Sequence, residues 1–245
     1  MPLACDTAYQ WYVTMLANNN NKTSAAASVS VNFRKGQELY NGLKRIEDSN
    51  EELGTCSSQT QITLDLRRTI EAAQAQTEKR VANVLLAFSK YDHTIGYVQG
   101  MNHIVELLVR HCSEEVAFWL FVSLVEDFDL RSIYQAGLPG LYKHVAVVER
   151  LVQDFLPHLH EHLEKSKITP IMFASNWLFT LFCNTIPLEV AHNFVSQFFK
   201  QGWVFFYQFT LCYLQAIQSR VLSLDCEESQ DQILELIKTP GKFLH

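Results

Sequence analysis

Gly96-Tyr97-Val98-Gln99-Gly100-Met101-Asn102 is a short polar turn with a glycine near each end, set between two runs of helical periodicity. Upstream, Val81, Val84, Leu85 and Phe88 fall at i, i+3, i+4 and i+7, which predicts an amphipathic helix over 78–90. Downstream, Met101, Ile104, Val105 and Leu108 share one stripe of a helix over 101–111. Residues 114–126 (EEVAFWLFVSLVE) follow, with Ser113 as the expected N-cap and two acids in the first turn. That helix is apolar nearly all round, which predicts a place at the centre of the core. A turn framed by three such helices makes the class all-α.

Further out, the same periodicity predicts helices over 8–17 and over 33–46, the latter with Phe33, Tyr40, Leu43 and Ile46 inward. Residues 141–156 place Leu141, Val145, Val148, Val152 and Phe155 inward. Pro157, Pro170 and Pro187 open helices to about Lys165, Asn184 and Lys200, proline being suited to a first helical turn. Ala174, Trp177, Leu178 and Leu181 point inward in the second of these, and Val190, Phe194 and Phe198 in the third. Residues 203–221 read as a buried core helix and 229–238 as a last amphipathic one. Residues 18–30 are low-complexity and read as a mobile loop; 48–61 and 127–140 read as connections. No convincing strand alternation or Asn-Gly/Asp-Gly hairpin appears, so ten or more helices are expected.

A chain of 245 residues accommodates one large domain or two lobes sharing a core. The lobes are expected at about 1–135 and 136–245. The net charge of −6 and a pI near 5.8, without a basic stripe, exclude a typical nucleic-acid binder. No window reaches 18 uninterrupted apolar residues, so no membrane span is expected, and the N-terminus lacks the pattern of a secretory leader. Six scattered cysteines without a C-x-x-C pair suggest reduced thiols in a cytoplasmic protein.

The chemistry-bearing residues form two clusters. In Ile62-Thr63-Leu64-Asp65-Leu66-Arg67-Arg68-Thr69, Asp65 stands three residues before Arg68, a spacing that puts both side chains on one helical face. A carboxylate there can steer the guanidinium through a charge-assisted hydrogen bond; an ordinary exposed ion pair has the same spacing. In the turn, the glycines permit backbone angles closed to other residues and a close approach by a partner. Gln99 offers one acceptor and two donors, suited to holding a water and a phosphate oxygen but not to proton transfer. A plain glycine-containing loop is the bland alternative. No GxxxxGK[ST] or GxGxxG occurs, so no nucleotide is expected to bind to this chain alone. His158 and His162 stand at i, i+4, but Glu161 is out of frame for H-E-x-x-H, and the segment reads as a solvated face with no metal.

The pair Ile62-x-x-Asp65-x-x-Arg68-Thr69 and Gly96-Tyr97-x-Gln99-Gly100-x-Asn102, in that order, resembles the signature of the TBC domain of Rab GTPase-activating proteins. EEVAFWLF at 114–121, P-x-L-x-x-H-L at 157–163, W-x-x-T-L-F at 177–182 and IP-x-E-x-A at 186–191 continue the resemblance, which covers about residues 60–220. It implies an all-α, two-lobed, V-shaped domain. It implies that Arg68 acts as an arginine finger and Gln99 as a glutamine finger supplied in trans. By the same analogy Asp65 orients Arg68, and Thr69, Tyr97, Gly100 and Asn102 support the pair. The implied partner is a Rab-family GTPase in its GTP form, which brings GTP and Mg²⁺; the chain needs no cofactor of its own. The implied process is vesicle trafficking, in the cytoplasm, with any attachment to endomembranes made through partners. Ile70-Glu71 stand where the family usually has an aromatic residue and a proline, which motivates the alternative of a Rab-binding scaffold without catalysis. A helical adaptor unrelated to GTPases is a third reading.

Overall fold

A computed structural model describes Gln10, Trp11, Thr14 and residues 33–45, 55–70, 74–226 and 229–239, with side chains from 36 and from 58 onward in the second and third stretches. The expected helix over 8–17 lies largely outside these residues, and the expected loop over 18–30 does so entirely. Among the described residues there are twelve helices of five or more residues and no strand. In chain order they are α1 (Phe33–Arg45), α2 (Thr55–Thr69), α3 (Ala75–Tyr91), α4 (Met101–His111), α5 (Glu114–Glu126), α6 (Leu130–Tyr134), α7 (Pro139–Phe155), α8 (Pro157–Lys165), α9 (Ile171–Thr180), α10 (Leu188–Gln201), α11 (Trp203–Leu222) and α12 (Gln230–Lys238). The all-α expectation holds. The chain divides into two units, Met1–Ala136 and Gly137–His245.

In the first unit α3 is the hub, packing against α1, α2, α4 and α5. Its stripe Val81, Val84, Leu85 and Phe88 is buried, as the periodicity predicts, and so are Met101, Ile104, Val105 and Leu108 of α4. Every residue of α5 from Val116 to Val125 is buried, in keeping with its apolar composition. The α5 end is fixed by polar bonds that span the unit. Glu114 accepts hydrogen bonds from Tyr40 Oη (2.9 Å), Lys44 Nζ (2.8 Å) and Asn83 Nδ2 (3.2 Å), and Trp119 Nε1 donates to the Gly36 carbonyl at 3.2 Å. Tyr40 and Leu43 of α1 are buried as expected, while Ile46 and the side chain of Phe33 lie outside the described residues.

Several expectations need correcting. Residues 55–61, read as part of a connection, form the first two turns of α2, because Ile62, Leu66 and Ile70 give that helix an inward stripe. The connection 127–140 contains α6, five residues long, seated by buried Leu130 and Ile133. Ser113 occupies the N-cap of α5 without a side-chain capping bond, and its hydroxyl lacks a partner among the described residues.

In the second unit α7 packs against α8, α9 and α11, and α11 against α10 and α12. Leu141, Val145, Val148 and Val152 are buried, but Phe155 is 66% exposed. The helix ends there, and Leu156 at its C-cap turns inward in its place. The helix expected to reach Asn184 ends at Thr180, because Leu181 and Phe182 both take positive φ and drive the chain into a turn. Their side chains stay in the core. The rings of Trp177 and Phe182 stack with centroids 4.9 Å apart, and Phe182 meets Phe194 and Phe206 at 5.3 and 5.2 Å. α11 is not buried all round: Phe206, Thr210, Tyr213, Leu214, Ile217 and Val221 form its inward stripe, while Val204 is exposed.

Candidate functional site

The site belongs to the first unit and joins the C-terminal turn of α2 to the loop between α3 and α4. Ile62, Leu66 and Ile70, spaced by four residues, hold α2 against the core, which leaves Leu64, Arg67 and Arg68 on the outer face. Arg67 and Arg68 occupy the last turn, where the helix dipole favours cations. Ile70 is buried, and its N–H continues the helical pattern by donating to the Leu66 carbonyl at 2.9 Å. Glu71 lies outside the described residues.

The loop begins at Asp92, the C-cap of α3, which is 7% exposed. Its Oδ1 accepts from Thr94 Oγ1 (2.6 Å), Thr94 N (3.2 Å) and Ile95 N (3.3 Å), an Asx turn that folds the chain back on itself. Its Oδ2 accepts from Arg131 Nη2 of α6, and its carbonyl accepts from Gly96 N at 2.8 Å. Burial works against ionisation of this carboxyl. The Thr94 hydroxyl, the Arg131 guanidinium and the Ile95 N–H outweigh it and hold the pKa below the ordinary value.

Gly96 and Gly100 both have positive φ, +63° and +109°, so the two glycines that frame the motif sit where side-chain-bearing residues would be strained. Between them Tyr97 is buried, and its hydroxyl donates to Asp65 Oδ2 at 2.8 Å, with Asn102 Oδ1 3.3 Å away. Asn102 Oδ1 also accepts from Gly100 N at 3.2 Å, and Asn102 Nδ2 donates to Thr69 Oγ1 at 3.2 Å. The Thr69 hydroxyl donates to the Asp65 carbonyl at 2.9 Å. Asp65, Thr69, Tyr97, Gly100 and Asn102 thus form one hydrogen-bonded frame across two chain segments. Burial, and then the Asp65 carboxylate, push the Tyr97 phenol well above its usual pKa, so it remains a donor.

Arg68 and Gln99 are exposed beside this frame, one residue before Thr69 and one before Gly100. Among the described residues neither makes a hydrogen bond or ion pair. Asp65 is bonded to Tyr97 and makes no ion pair with Arg68, so any orienting effect on Arg68 runs through the shared helix backbone. The sequence reading missed His103, Asp92 and Arg131. Burial lowers the pKa of His103, in the first turn of α4, against the opposing pull of Glu106 and Asp65. Asp92-x-Thr94 ahead of a glycine was a readable Asx signal, but nothing local links Asp92 to Arg131, 39 residues away.

The histidines of α8 face other tasks. His162 Nδ1 lies 3.2 Å from Cys226 Sγ, and His160 Nε2 lies 3.7 Å from Glu164 Oε1. Among the described residues no three His, Cys, Asp or Glu side chains converge as a metal-binding group, and no disulfide joins the cysteines. Among the described residues no helix is long and apolar enough to cross a membrane.

Comparison with known proteins follows the same lines. Rab GTPase-activating protein eat-17 of Caenorhabditis elegans is 37% identical over 145 residues, 59% of this chain and 16% of that protein. Ecotropic viral integration site 5 protein homolog of Homo sapiens is 34% identical over 145 residues, 59% and 18% of the two chains. GTPase-activating protein GYP5 of Saccharomyces cerevisiae is 32% identical over 148 residues, 60% and 16%. The chain spans less than a fifth of the length of these relatives. Two solved structures share the fold. The Ypt/Rab-GAP domain of Gyp1p superposes with a TM-score of 0.75 at 17% identity, covering 98% of this chain and 87% of that one. The Chlamydomonas flagellar RabGAP TBC domain does so with 0.70 at 22%, covering 94% and 72%. The family model of the Rab-GTPase-TBC domain matches residues 9–222, nearly the whole chain, and the protein belongs to that family.

Proposed function

We propose that this protein accelerates GTP hydrolysis by a Rab-family GTPase, acting on its GTP form through Arg68 and Gln99. The observation that carries the proposal is the frame of Asp65, Thr69, Tyr97, Gly100 and Asn102, which ties two distant motifs together and leaves the two side chains with phosphate chemistry exposed and uncommitted. Kinship with proteins named as Rab GTPase-activating proteins supports the choice of partner.

In the reaction, water attacks the γ-phosphorus of GTP as the bond to the β–γ bridging oxygen breaks. Charge then accumulates on the phosphoryl oxygens and the leaving diphosphate, and catalysis consists of positioning and charge neutralisation. The Arg68 guanidinium neutralises that charge. The Gln99 carbonyl accepts a hydrogen bond from the attacking water, while its amide donates to a γ-phosphate oxygen. The partner brings GTP and Mg²⁺, and the chain has no hydrolase activity of its own. The process served is vesicle trafficking, from a cytoplasmic location.

Single-turnover hydrolysis measured across a panel of GTP-loaded Rabs tests the proposal. At least one Rab is expected to respond, and Gln99→Ala is expected to abolish most of that response. Stimulation that survives Gln99→Ala unchanged would assign the water-orienting glutamine to the Rab. GTP-dependent binding without acceleration would favour the scaffold reading instead.

A further inference from the structure

The loop that carries Gln99 is held at both ends, and only one end belongs to the family motif. At the distal end Tyr97, Gly100 and Asn102 bond to α2 and to one another. At the proximal end the entire segment 92–96 hangs on one residue. The Asp92 carboxylate takes the Thr94 hydroxyl and two backbone N–H groups, and the Asp92 carbonyl takes the Gly96 N–H. The remaining carboxylate oxygen is held by Arg131.

Arg131 comes from a rigid support. Leu130 and Ile133, on either side of it in α6, are fully buried, and α6 packs against α5, whose residues from Val116 to Val125 are all buried. The guanidinium therefore reaches Asp92 from an element that is anchored independently of the loop. Asp92 is nearly inaccessible with Arg131 in place, so removing the guanidinium takes the charge partner from a largely buried carboxylate and weakens the turn built on it. If the turn opens, the φ of Gly96 is no longer fixed by its hydrogen bond to Asp92, and the segment leading to Gln99 is released.

Resting on the role proposed above for Gln99, we infer that Arg131 is a positioning residue: through Asp92 it fixes the backbone path that presents Gln99 to the partner's nucleotide. Arg131 itself touches neither nucleotide nor water. It acts on how well Gln99 is placed and not on how tightly the partner binds.

The test uses Arg131→Gln, Arg131→Lys and Asp92→Asn in the full chain, with two independent readouts. In the first, amide hydrogen exchange of the protein alone, Arg131→Gln is expected to speed exchange over residues 94–100 by about tenfold or more while α5 stays protected. Unchanged exchange over 94–100 would overturn the inference whether or not any Rab responds. In the second, on a responsive Rab, Arg131→Gln is expected to lower the maximal single-turnover rate by roughly tenfold with the half-saturating concentration within about twofold, since small misplacements of a positioned group are costly in rate. Arg131→Lys, which keeps a cation within reach of Asp92, is expected to recover most of that rate. Asp92→Asn is expected to match Arg131→Gln, and the double variant to lose no more than either single one. A well-folded Arg131→Gln protein with a normal maximal rate, or a loss confined to the half-saturating concentration, would overturn the inference. Should Arg131→Gln fail to fold, Asp92→Asn carries the same test, and a normal rate there would overturn it equally. A wild-type chain that stimulates no Rab defeats the proposed function, while the exchange readout still decides the role of Arg131.

Discussion

Two regions of this chain, the aromatic core of the second unit and the loop frame of the first, are held by different means. In the second unit, Trp177, Phe182, Phe194, Phe198 and Phe206 are fully buried and pack ring against ring. Aromatic pairs of this kind bury large areas and tolerate a range of geometries. The first unit's core pairs rings too, among them Tyr40 with Phe118 and Phe88 with Phe121, but the frame beside Arg68 and Gln99 is joined by a handful of directional hydrogen bonds among Asp65, Thr69, Tyr97 and Asn102. Such bonds contribute little net stability each but specify one arrangement. The contrast teaches that this protein separates bulk stability from positional accuracy and places its two uncommitted side chains on the accurate part.

Substitutions sharpen or break that comparison. The largest effect is expected for Arg68→Ala: a loss of about 10³-fold or more in stimulated hydrolysis, the usual worth of an arginine finger. Its stability should stay within about 0.5 kcal/mol of wild type, because the side chain is exposed. A loss below about tenfold in single-turnover assays would remove Arg68 from the mechanism. Phe194→Ala tests the other unit. It is expected to lower stability in urea titration by about 3–5 kcal/mol while leaving the maximal rate of the folded fraction intact. A rate change in that fraction would erase the division of labour.

Asn102→Ala addresses the frame directly. Removing its amide leaves the Gly100 N–H and the Thr69 hydroxyl short of a partner, a cost of about 1–3 kcal/mol by denaturation. Activity should fall further than this stability loss accounts for. Equal loss in the two units' substitutions would mean the frame is ordinary packing.

The smallest effect concerns pH. Burial disfavours the charged form of His103, so its folded pKa lies below the model-peptide value of about 6.5. As pH falls from about 6.5 through the folded pKa, the unfolded chain binds the proton first and stability declines. His103→Gln is expected to flatten the stability profile between about pH 7 and 5.5. An identical profile in the variant would show that His103 does not contribute.

Much of this was legible in the residues, and the exceptions are physical. Long stripes such as Val81-Val84-Leu85-Phe88 forecast buried helical faces because a helix of that length averages over many side chains. The five-residue α6 offers too little periodicity to read, since only Leu130 and Ile133 signal it. Gln59, Thr60 and Gln61 are polar because they are exposed on α2, not because they leave the helix. At the site, Gly96, Gly100 and Gln99 could be singled out by their types and spacing. That Asp65 would bond Tyr97 was not readable from a spacing that equally suits an ion pair with Arg68. The Asp92–Arg131 pair depends on tertiary contact alone.

One feature at the far end of the chain bears on where this domain stops. The family match ends at residue 222, before α12 begins. Yet Ile233 and Ile237 of α12 are fully buried, and the Tyr213 hydroxyl stands 3.0 Å from the carbonyl oxygens of both Leu236 and Ile237. A boundary drawn where sequence similarity fades would strip a cap from α11 and bare the surfaces of α9 and α11 beneath it. The packed unit therefore runs past the residues that the family model matches, and a shortened version cut at 222 is expected to aggregate whatever Arg68 and Gln99 do.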